Sequence, residues 1–340
     1  MSVRERYASL DAWRGVAAVA VVIFHCGNTV VDRESIAGRL LLSGWLGVFI
    51  FFPISGYCIL AALQSPANRT MGAFLTRRWR RIIPPYWASI VVALAIGLAA
   101  LPFSRGSAAD LLPPARLWGV VLTLTQGFTD HSNAINPVYW SLCYEEQFYV
   151  VMALMLAAPS GWRAPLLGAI TATAAVYVSA AWTWRIQGLF LEYWMCFAAG
   201  CAAYLWLHER SARMWAAAIL VIAAGMGTMS ANAALLMSVG VAIAMAVLAP
   251  YDRVLARLRP LAALMAIRTI SFSLYLVHVP VGGRLTNLLD RIGVPPFAIV
   301  PLSCAVSVGA AWLFYVNVEK RTLKARPALT DPKAPVAVAA

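Results

Sequence analysis

Charged residues are scarce in this sequence. Asp, Glu, Lys and Arg make up 12% of its 340 residues, whereas about 25% is usual in a soluble globular protein. Hydrophobic residues make up 61%, so there is too little polar surface to cover a water-soluble fold. This composition excludes a soluble enzyme, a disordered chain and a collagen-like repeat. It predicts an all-α membrane protein.

Cysteine pairs and acidic residues are also few. The six cysteines include no CxxC pair and lie mostly in apolar runs, which argues against a disulfide framework or a metal site. Fourteen acidic residues face 27 basic ones, giving a net charge of +13. The basic residues lie between apolar runs, where the positive-inside rule places them. We therefore expect contact with membrane lipid and no binding to nucleic acid.

Ten apolar runs reach the length of about 20 residues that a transmembrane helix needs. The predicted spans are 12–30, 41–63, 84–103, 138–158, 165–183, 190–207, 213–229, 232–249, 269–289 and 296–317. The stretch 115–127 is shorter and is predicted to be an interfacial or re-entrant helix. The first run has no small-residue cleavage site, so no cleavable signal peptide is expected. The sequence thus predicts a membrane domain over 1–325 and a disordered cytoplasmic tail over 326–340.

Three ionisable residues lie in or beside the first span, SLDAWRGVAAVAVVIFHC. Such groups are costly in a membrane helix and usually face a cavity or a partner. Asp11 and Arg14 are three residues apart and share a helix face. Arg14 and His25 are about 16 Å apart along a helix, so they can contact two parts of one long ligand. Alternatively, Arg14 reaches the lipid headgroups and His25 satisfies a buried polar group.

Four arginines precede the third span, in the predicted loop FLTRRWRRIIPPYW: Arg77, Arg78, Arg80 and Arg81. The planar guanidinium group binds phosphate oxygens through two parallel hydrogen bonds. These arginines are candidates for binding a phosphorylated ligand. Attraction to anionic lipid is the alternative, and it is the more ordinary role for arginines in an inner loop.

Two acidic residues stand side by side in NPVYWSLCYEEQFYVV, where the chain enters its fourth span from outside. Depth in the membrane favours Glu145 over Glu146 as a partner that orients His25, because a carboxylate commonly supports a histidine acting as general base. The alternative is that both glutamates cap an interfacial helix near its start, where negative charge is stabilising. Trp140 and its neighbouring tyrosines would also suit an aromatic belt at the membrane surface.

A fourth polar group occurs in the ninth span, SFSLYLVHVP. Its serines are typical of hydrogen bonds between membrane helices. His278 lies deeper and is a candidate for lining a cavity. His131 and His208 fall in loops and are assigned no role.

Five segments, in this order, resemble acyltransferase family 3, a family of integral membrane proteins, over roughly residues 9–320. They are SLDAWRGVAAVAVVIFHC, GVFIFFPISGYCI, RRWRRIIPPY, WSLCYEEQFY and FSLYLVH. Any one of them alone is a weak signal, whereas five in sequence across ten spans are a strong one.

The resemblance implies an O-acyltransferase of the bacterial inner membrane. It would transfer acetyl from cytoplasmic acetyl-CoA to a hydroxyl of a carbohydrate at the outer face. Arg14 and His25 would be the catalytic motif, with Glu145 as partner of His25. Arg14, Arg77, Arg78 and Arg81 would bind the phosphates of CoA. On the acceptor side we assign substrate binding to Trp140, Ser141, Tyr275 and His278. Direct transfer and a covalent acyl-histidine intermediate are both compatible with this motif.

The sequence departs from the family pattern after the GV of the second segment, where many members carry Asp and this chain has Phe49. Any proton relay through that Asp is absent here. Pro53 is expected to kink the same span. The chain ends soon after span ten, so we expect the form without an extra extracytoplasmic domain.

A carrier for a sugar or small acid is the rival interpretation, since buried Arg, His and Glu also occur in transporters. The absence of an internal repeat argues against it. A structural membrane subunit is a third possibility, and it would tolerate substitution of Arg14 and His25.

The topology of the chain is the first testable prediction. With both termini in the cytoplasm, nineteen Lys and Arg residues lie inside and seven outside, as the positive-inside rule requires. A green fluorescent protein fused to the C-terminus should therefore fluoresce, and alkaline phosphatase fused there should be inactive. The opposite pattern in both fusions would reject this orientation.

Overall fold

The computed structural model describes residues 8–68, 70–103, 107, 111–179 and 183–324. Within these ranges the chain forms helices and no strand, which confirms the all-α class. The predicted tail, 326–340, lies outside the described residues. The helices are α1 (Ala8–Gly27), α2 (Ile36–Leu42), α3 (Val48–Leu63), α4 (Met71–Ala99), α5 (Trp118–Leu122), α6 (Trp140–Leu154), α7 (Arg163–Val178), α8 (Trp194–His208), α9 (Arg213–Met229), α10 (Ala233–Leu248), α11 (Asp252–Leu255), α12 (Arg259–Arg268), α13 (Ser271–His278), α14 (Arg284–Arg291), α15 (Pro296–Phe314) and α16 (Lys320–Lys324).

Each of the ten predicted spans coincides with helical structure in the described part of the chain. Six of these helical stretches are long and apolar enough to cross a membrane by themselves: Ser9–Gly27, Ile36–Leu63, Met71–Ala99, Arg210–Met229, Ala233–Leu255 and Pro296–Leu323. The others are shorter or carry more charge. The protein is therefore a polytopic membrane protein, while the count of ten spans and the side of the termini stay predictions.

The arginine-rich segment before the third span was predicted to be a loop, and this is wrong. It forms the first turns of α4, which runs without interruption from Met71 to Ala99. Thr70 caps this helix, because its hydroxyl accepts a hydrogen bond from the Ala73 amide at 3.2 Å. The capping residue lies fourteen positions before the first proline of the segment, so the helix is established well before Pro84 and Pro85.

The centre of the bundle is α8, which packs against α3, α7, α9 and α10. Every residue of α8 from Trp194 to Leu205 is buried. Glycines allow α3 and α8 to approach closely: Gly56 packs against the backbone of Phe197, and Gly200 against the backbone of Pro53. Small residues at a crossing are a common basis for helix association in membranes, where lipid supplies no hydrophobic driving force.

A proline within a membrane helix leaves one backbone carbonyl without its usual partner. In α3 this proline is Pro53, and the carbonyl is that of Phe49, four residues earlier. The Ser238 hydroxyl of α10 donates a hydrogen bond to that carbonyl at 2.8 Å. The bond satisfies the freed carbonyl and joins α3 to α10, so α3 is continuous through the proline.

The contact between α3 and α8 can be tested with a pair of glycine variants. Gly200→Ala should lower the unfolding temperature of the detergent-purified protein, because the added methyl group would collide with the Pro53 carbonyl. Gly240→Ala, in α10, is the control, since nothing lies within 4 Å of the added methyl group. The control should be neutral or slightly stabilising, as alanine favours helix over glycine. Equal unfolding temperatures for the two variants would contradict the proposed packing.

Candidate active site

One polar cluster joins α1, α3, α4 and α6 inside the bundle. We call it the Arg14 cluster, and it consists of Arg14, Ser55, Cys58, Arg78, Glu145 and Tyr149. The Arg14 guanidinium donates to the Cys58 sulfur at 3.3 Å. One turn earlier on α3, the Ser55 hydroxyl donates to Glu145 at 2.8 Å. The first and fourth of the five segments are thereby linked through α3, which carries the second.

Arg78 is the arginine of α4 that turns into this cluster. Its guanidinium lies over the ring of Phe74 at 5.4 Å and over that of Tyr149 at 5.9 Å. The Tyr149 hydroxyl in turn donates to Glu145. The Nε atom of Arg78 is buried and has no hydrogen-bond partner. By contrast, Arg77, Arg80 and Arg81 are exposed, so only one of the four predicted arginines is integrated into the core.

Asp11 does not pair primarily with Arg14. Its carboxylate lies 3.3 Å from Arg268 and 4.0 Å from Arg14. It therefore ties α1 to the end of α12, which also packs closely where Gly15 meets the backbone of Leu264. Arg14 is left available to Cys58 and to a ligand.

The second polar site lies at the other end of α1, about 16 Å from Arg14 by helical rise. The rings of His25 and His278 are 5.1 Å apart, between centroids, and are tilted by 58°. His25 is half-buried, and no hydrogen bond to its ring is present among the described residues. His278 is fully buried. We call these two residues the histidine pair.

The backbone that carries His278 is unusual. A short π-helix follows it directly, over Val279–Gly283, and such segments frequently occur at functional sites. Pro280 in this segment cannot donate to the Leu276 carbonyl four residues earlier. The buried Asn136 side chain donates to that carbonyl instead, at 2.9 Å. Asn136 thereby stabilises the irregular backbone beside His278.

Two of the predicted substrate-binding residues meet directly. The hydroxyls of Ser141 and Tyr275 are 2.5 Å apart, and the Tyr275 ring lies 6.1 Å from that of His278. Trp140 turns the other way and joins an aromatic cluster with Phe49, Phe52 and Tyr193. Ser141, Tyr275 and His278 thus lie side by side, with His278 next to His25, and Trp140 is not part of this group.

The structure does not bring Glu145 into contact with His25, as the sequence-based prediction expected. Glu145 accepts hydrogen bonds from Ser55 and Tyr149 and lies in the Arg14 cluster. Depth along α6 was the basis of the prediction, but depth does not say which neighbouring helix a side chain faces. From another helix, the ring of His278 approaches that of His25.

Several contributing residues had no role in the sequence-based prediction. Ser55 stands in the segment SGY, whose three residues each make a separate contact: Ser55 with Glu145, Gly56 with α8, and Tyr57 with His208 at 2.8 Å. Glu319, at the end of a second π-helix, accepts a hydrogen bond from Ser273 at 2.5 Å. Glu319 could have been recognised in the sequence as a lone acidic residue at the end of an apolar run.

No group of three or more His, Cys, Asp and Glu side chains that could hold a metal ion occurs in the described part of the chain. The six cysteines are free thiols.

Comparison with known sequences identifies the family. The model of the acyltransferase domain of the acyltransferase 3 family matches residues 7–316. The chain belongs to this acyltransferase 3 family. That membership confirms the resemblance seen in the five segments and indicates acyl transfer as the chemistry of the fold.

Two relatives carry names that specify an activity. The O-acetyltransferase OatA of Staphylococcus aureus is 31% identical over 160 residues, covering 43% of this chain and 24% of the relative. The peptidoglycan O-acetyltransferase OatA of Listeria monocytogenes is 28% identical over 170 residues, covering 47% of this chain and 25% of the relative. The similarity thus spans about a quarter of the length of these relatives. No solved structure matches the chain.

The adjacent glutamates of this acyltransferase 3 member provide a matched test of the Arg14 cluster. Glu145→Gln should lower the unfolding temperature, because it removes the negative charge that interacts electrostatically with Arg78 and leaves a largely buried cation uncompensated. Glu146→Gln should not lower it, since one carboxylate oxygen of Glu146 is buried without a hydrogen-bond partner. Thermal unfolding in detergent measures both variants. A larger loss for Glu146→Gln would contradict this assignment.

Proposed function

We propose that the protein is a membrane-embedded O-acetyltransferase. It transfers acetyl from acetyl-CoA, bound at the cytoplasmic face, to a hydroxyl of a carbohydrate at the outer face of the bacterial inner membrane. The observation that carries the proposal is the arrangement of α1, with Arg14 in a cationic cluster at one end and His25 in the histidine pair at the other. Family membership and the names of the two OatA relatives support the reaction type.

The donor end is the Arg14 cluster together with the exposed arginines of α4. The phosphate groups of CoA require cations that donate several hydrogen bonds, and arginine supplies them in a planar arrangement. Arg77 and Arg81 are exposed near the start of α4, while Arg14 and Arg78 lie further in. The buried Nε of Arg78, without a partner in the protein, is a donor available to a ligand.

The acceptor end is the histidine pair with Ser141 and Tyr275. His25 is the general base: it takes the proton of the acceptor hydroxyl as the hydroxyl oxygen attacks the thioester carbonyl. The new C–O bond forms and the C–S bond breaks. The proton on His25 then passes to the departing CoA thiolate. The products are the acetyl ester and CoA with a free thiol.

The proposed reaction requires His25, and this is the fourth prediction. His25→Ala should reduce acetyl transfer by a factor of about 100 to 10,000, the range that a general base contributes. His131→Ala is the control, because His131 is an exposed loop histidine that the reaction does not use. Purified protein in proteoliposomes, [14C]acetyl-CoA and a glycan extract from the source membrane give the measurement, as label bound covalently to glycan.

The same assay separates the enzyme from a carrier. Label transferred to glycan by wild-type protein and by His131→Ala, but not by His25→Ala, supports the enzyme. Uptake of acetyl-CoA or sugar into the vesicles without labelled glycan would identify a carrier. Normal transfer by a correctly inserted His25→Ala variant would reject the mechanism.

A further inference from the structure

The protonation of His278 is fixed by its own helix. Its Nδ1 atom lies 2.9 Å from the Leu274 carbonyl oxygen. A carbonyl can only accept a hydrogen bond, so Nδ1 carries a proton. His278 is fully buried, and no carboxylate contacts its ring among the residues that the structure describes, which favours the neutral imidazole. In the neutral ring, Nε2 then bears a lone pair.

That lone pair has no partner in the protein. Nε2 of His278 is buried and receives no hydrogen bond. A buried acceptor without a donor destabilises the fold, and the cost is expected to be offset at a functional site. The ring of His25 is at the distance that a direct bond needs. An N–H···N hydrogen bond of about 3 Å between two imidazoles separates their centroids by about 5 Å, and the observed separation is 5.1 Å.

His25 can supply the N–H donor that Nε2 of His278 lacks. A neutral imidazole has one N–H donor and one lone pair, and neither nitrogen of His25 is engaged by another side chain in the described ranges. As general base, His25 needs its lone pair directed at the acceptor hydroxyl. Its N–H is then free to be donated elsewhere. The acceptor hydroxyl cannot donate a hydrogen bond to Nε2 of His278, because its single proton goes to His25.

We infer that His278 is the positioning residue for His25: His25 donates its N–H to Nε2 of His278, and this bond fixes the tautomer and orientation of the base. The inference rests on the proposed acetyl transfer. His278 takes the part that a carboxylate plays in the Ser-His-Asp arrangement, but as a neutral acceptor. When His25 receives the proton of the hydroxyl, the same bond becomes charge-assisted and stabilises the imidazolium. A small rotation of the half-buried His25 ring completes the bond, as catalytic hydrogen bonds often tighten only when substrate is bound.

Two amide variants of His278 separate this role from packing. Asparagine places its amide where Nδ1 lies, so His278→Asn keeps the bond to Leu274 and loses the acceptor at the position of Nε2. Glutamine is one carbon longer, so His278→Gln brings a carbonyl oxygen near that position. We expect kcat to fall about 100-fold in His278→Asn and less than tenfold in His278→Gln. The KM for acetyl-CoA should not change in either variant, since CoA binds at the other end of α1.

A purely structural role for His278 would give the opposite order, because His278→Asn preserves the local helix contact better than His278→Gln. Equal kcat values for the two variants, or a loss in His278→Gln alone, would overturn the inference. The thermal unfolding temperature of both variants, measured alongside, identifies any loss caused by misfolding.

A second measurement does not depend on activity. The chain has four histidines, so nitrogen-15 labelling of histidine gives few ring signals, which His25→Ala and His131→Ala assign. We expect His25 to be a single tautomer in wild-type protein and in His278→Gln, and a mixture of both tautomers in His278→Asn. A mixture in the wild type, or no change in His278→Asn, would refute the hydrogen bond. If the wild type transfers no acetyl group at all, the proposed function fails, while the spectra still decide whether the histidine pair exists.

Discussion

The hydrocarbon core of a membrane supplies no water, so every backbone carbonyl within it must find a partner in the protein. This constraint governs the irregular parts of the fold. Pro53 and Pro280 each free a carbonyl four residues earlier, and in both cases a polar side chain from a distant segment of the chain donates a hydrogen bond to it. Ser238 donates to the Phe49 carbonyl at 2.8 Å, and Asn136 to the Leu276 carbonyl at 2.9 Å. Pro53 thus creates a specific link between α3 and α10, and Pro280 one between α13 and the loop before α6, which nonpolar packing alone would not provide.

The same requirement explains why the two buried sites differ. In the Arg14 cluster the carboxylate of Glu145 is satisfied by Ser55 and Tyr149, so its geometry is set before any ligand arrives. In the histidine pair one nitrogen of His278 is held by Leu274 and the other has no partner. A site in which one hydrogen-bond acceptor still lacks a donor is suited to a group that changes its protonation during a reaction. This difference agrees with the proposed function, in which the first site binds the donor and the second moves a proton.

Much of the fold followed from the sequence because long apolar runs allow few arrangements other than helices. The helical class was predictable, and so was the position of most of the predicted spans, to within a few residues. The start of α4 was not, because its arginines resemble a polar loop when hydropathy alone is considered. A helix capped by Thr70 can carry arginines along an exposed face, and the sequence pattern of charge does not separate these two cases.

The site was predictable by residue type but not by pairing. His25, Arg14, Glu145 and His278 were recognised as costly groups in an apolar setting. The structure brings Arg14 and Glu145 into polar contacts across helices and places the ring of His278 5.1 Å from that of His25. Which helices face one another depends on packing between segments far apart in the chain. Glu145 and His278 are 133 positions apart, and periodicity within either helix carries no information on which of them faces α1.

Phe49 shows how packing can accommodate an aromatic residue in place of an acidic one. Where many members of the family carry an acid, this chain has an aromatic ring that lies 5.7 Å from Tyr193 and 5.5 Å from Phe52. A carboxylate enclosed by these rings would be desolvated without a cation to pair with, at a cost of several kcal/mol. The phenyl ring removes that cost and fills the space at the crossing of α3 and α6. The inferred hydrogen bond from His25 to His278, whose rings are 5.1 Å apart, likewise needs no counter-ion, because its acceptor is a neutral imidazole rather than a carboxylate.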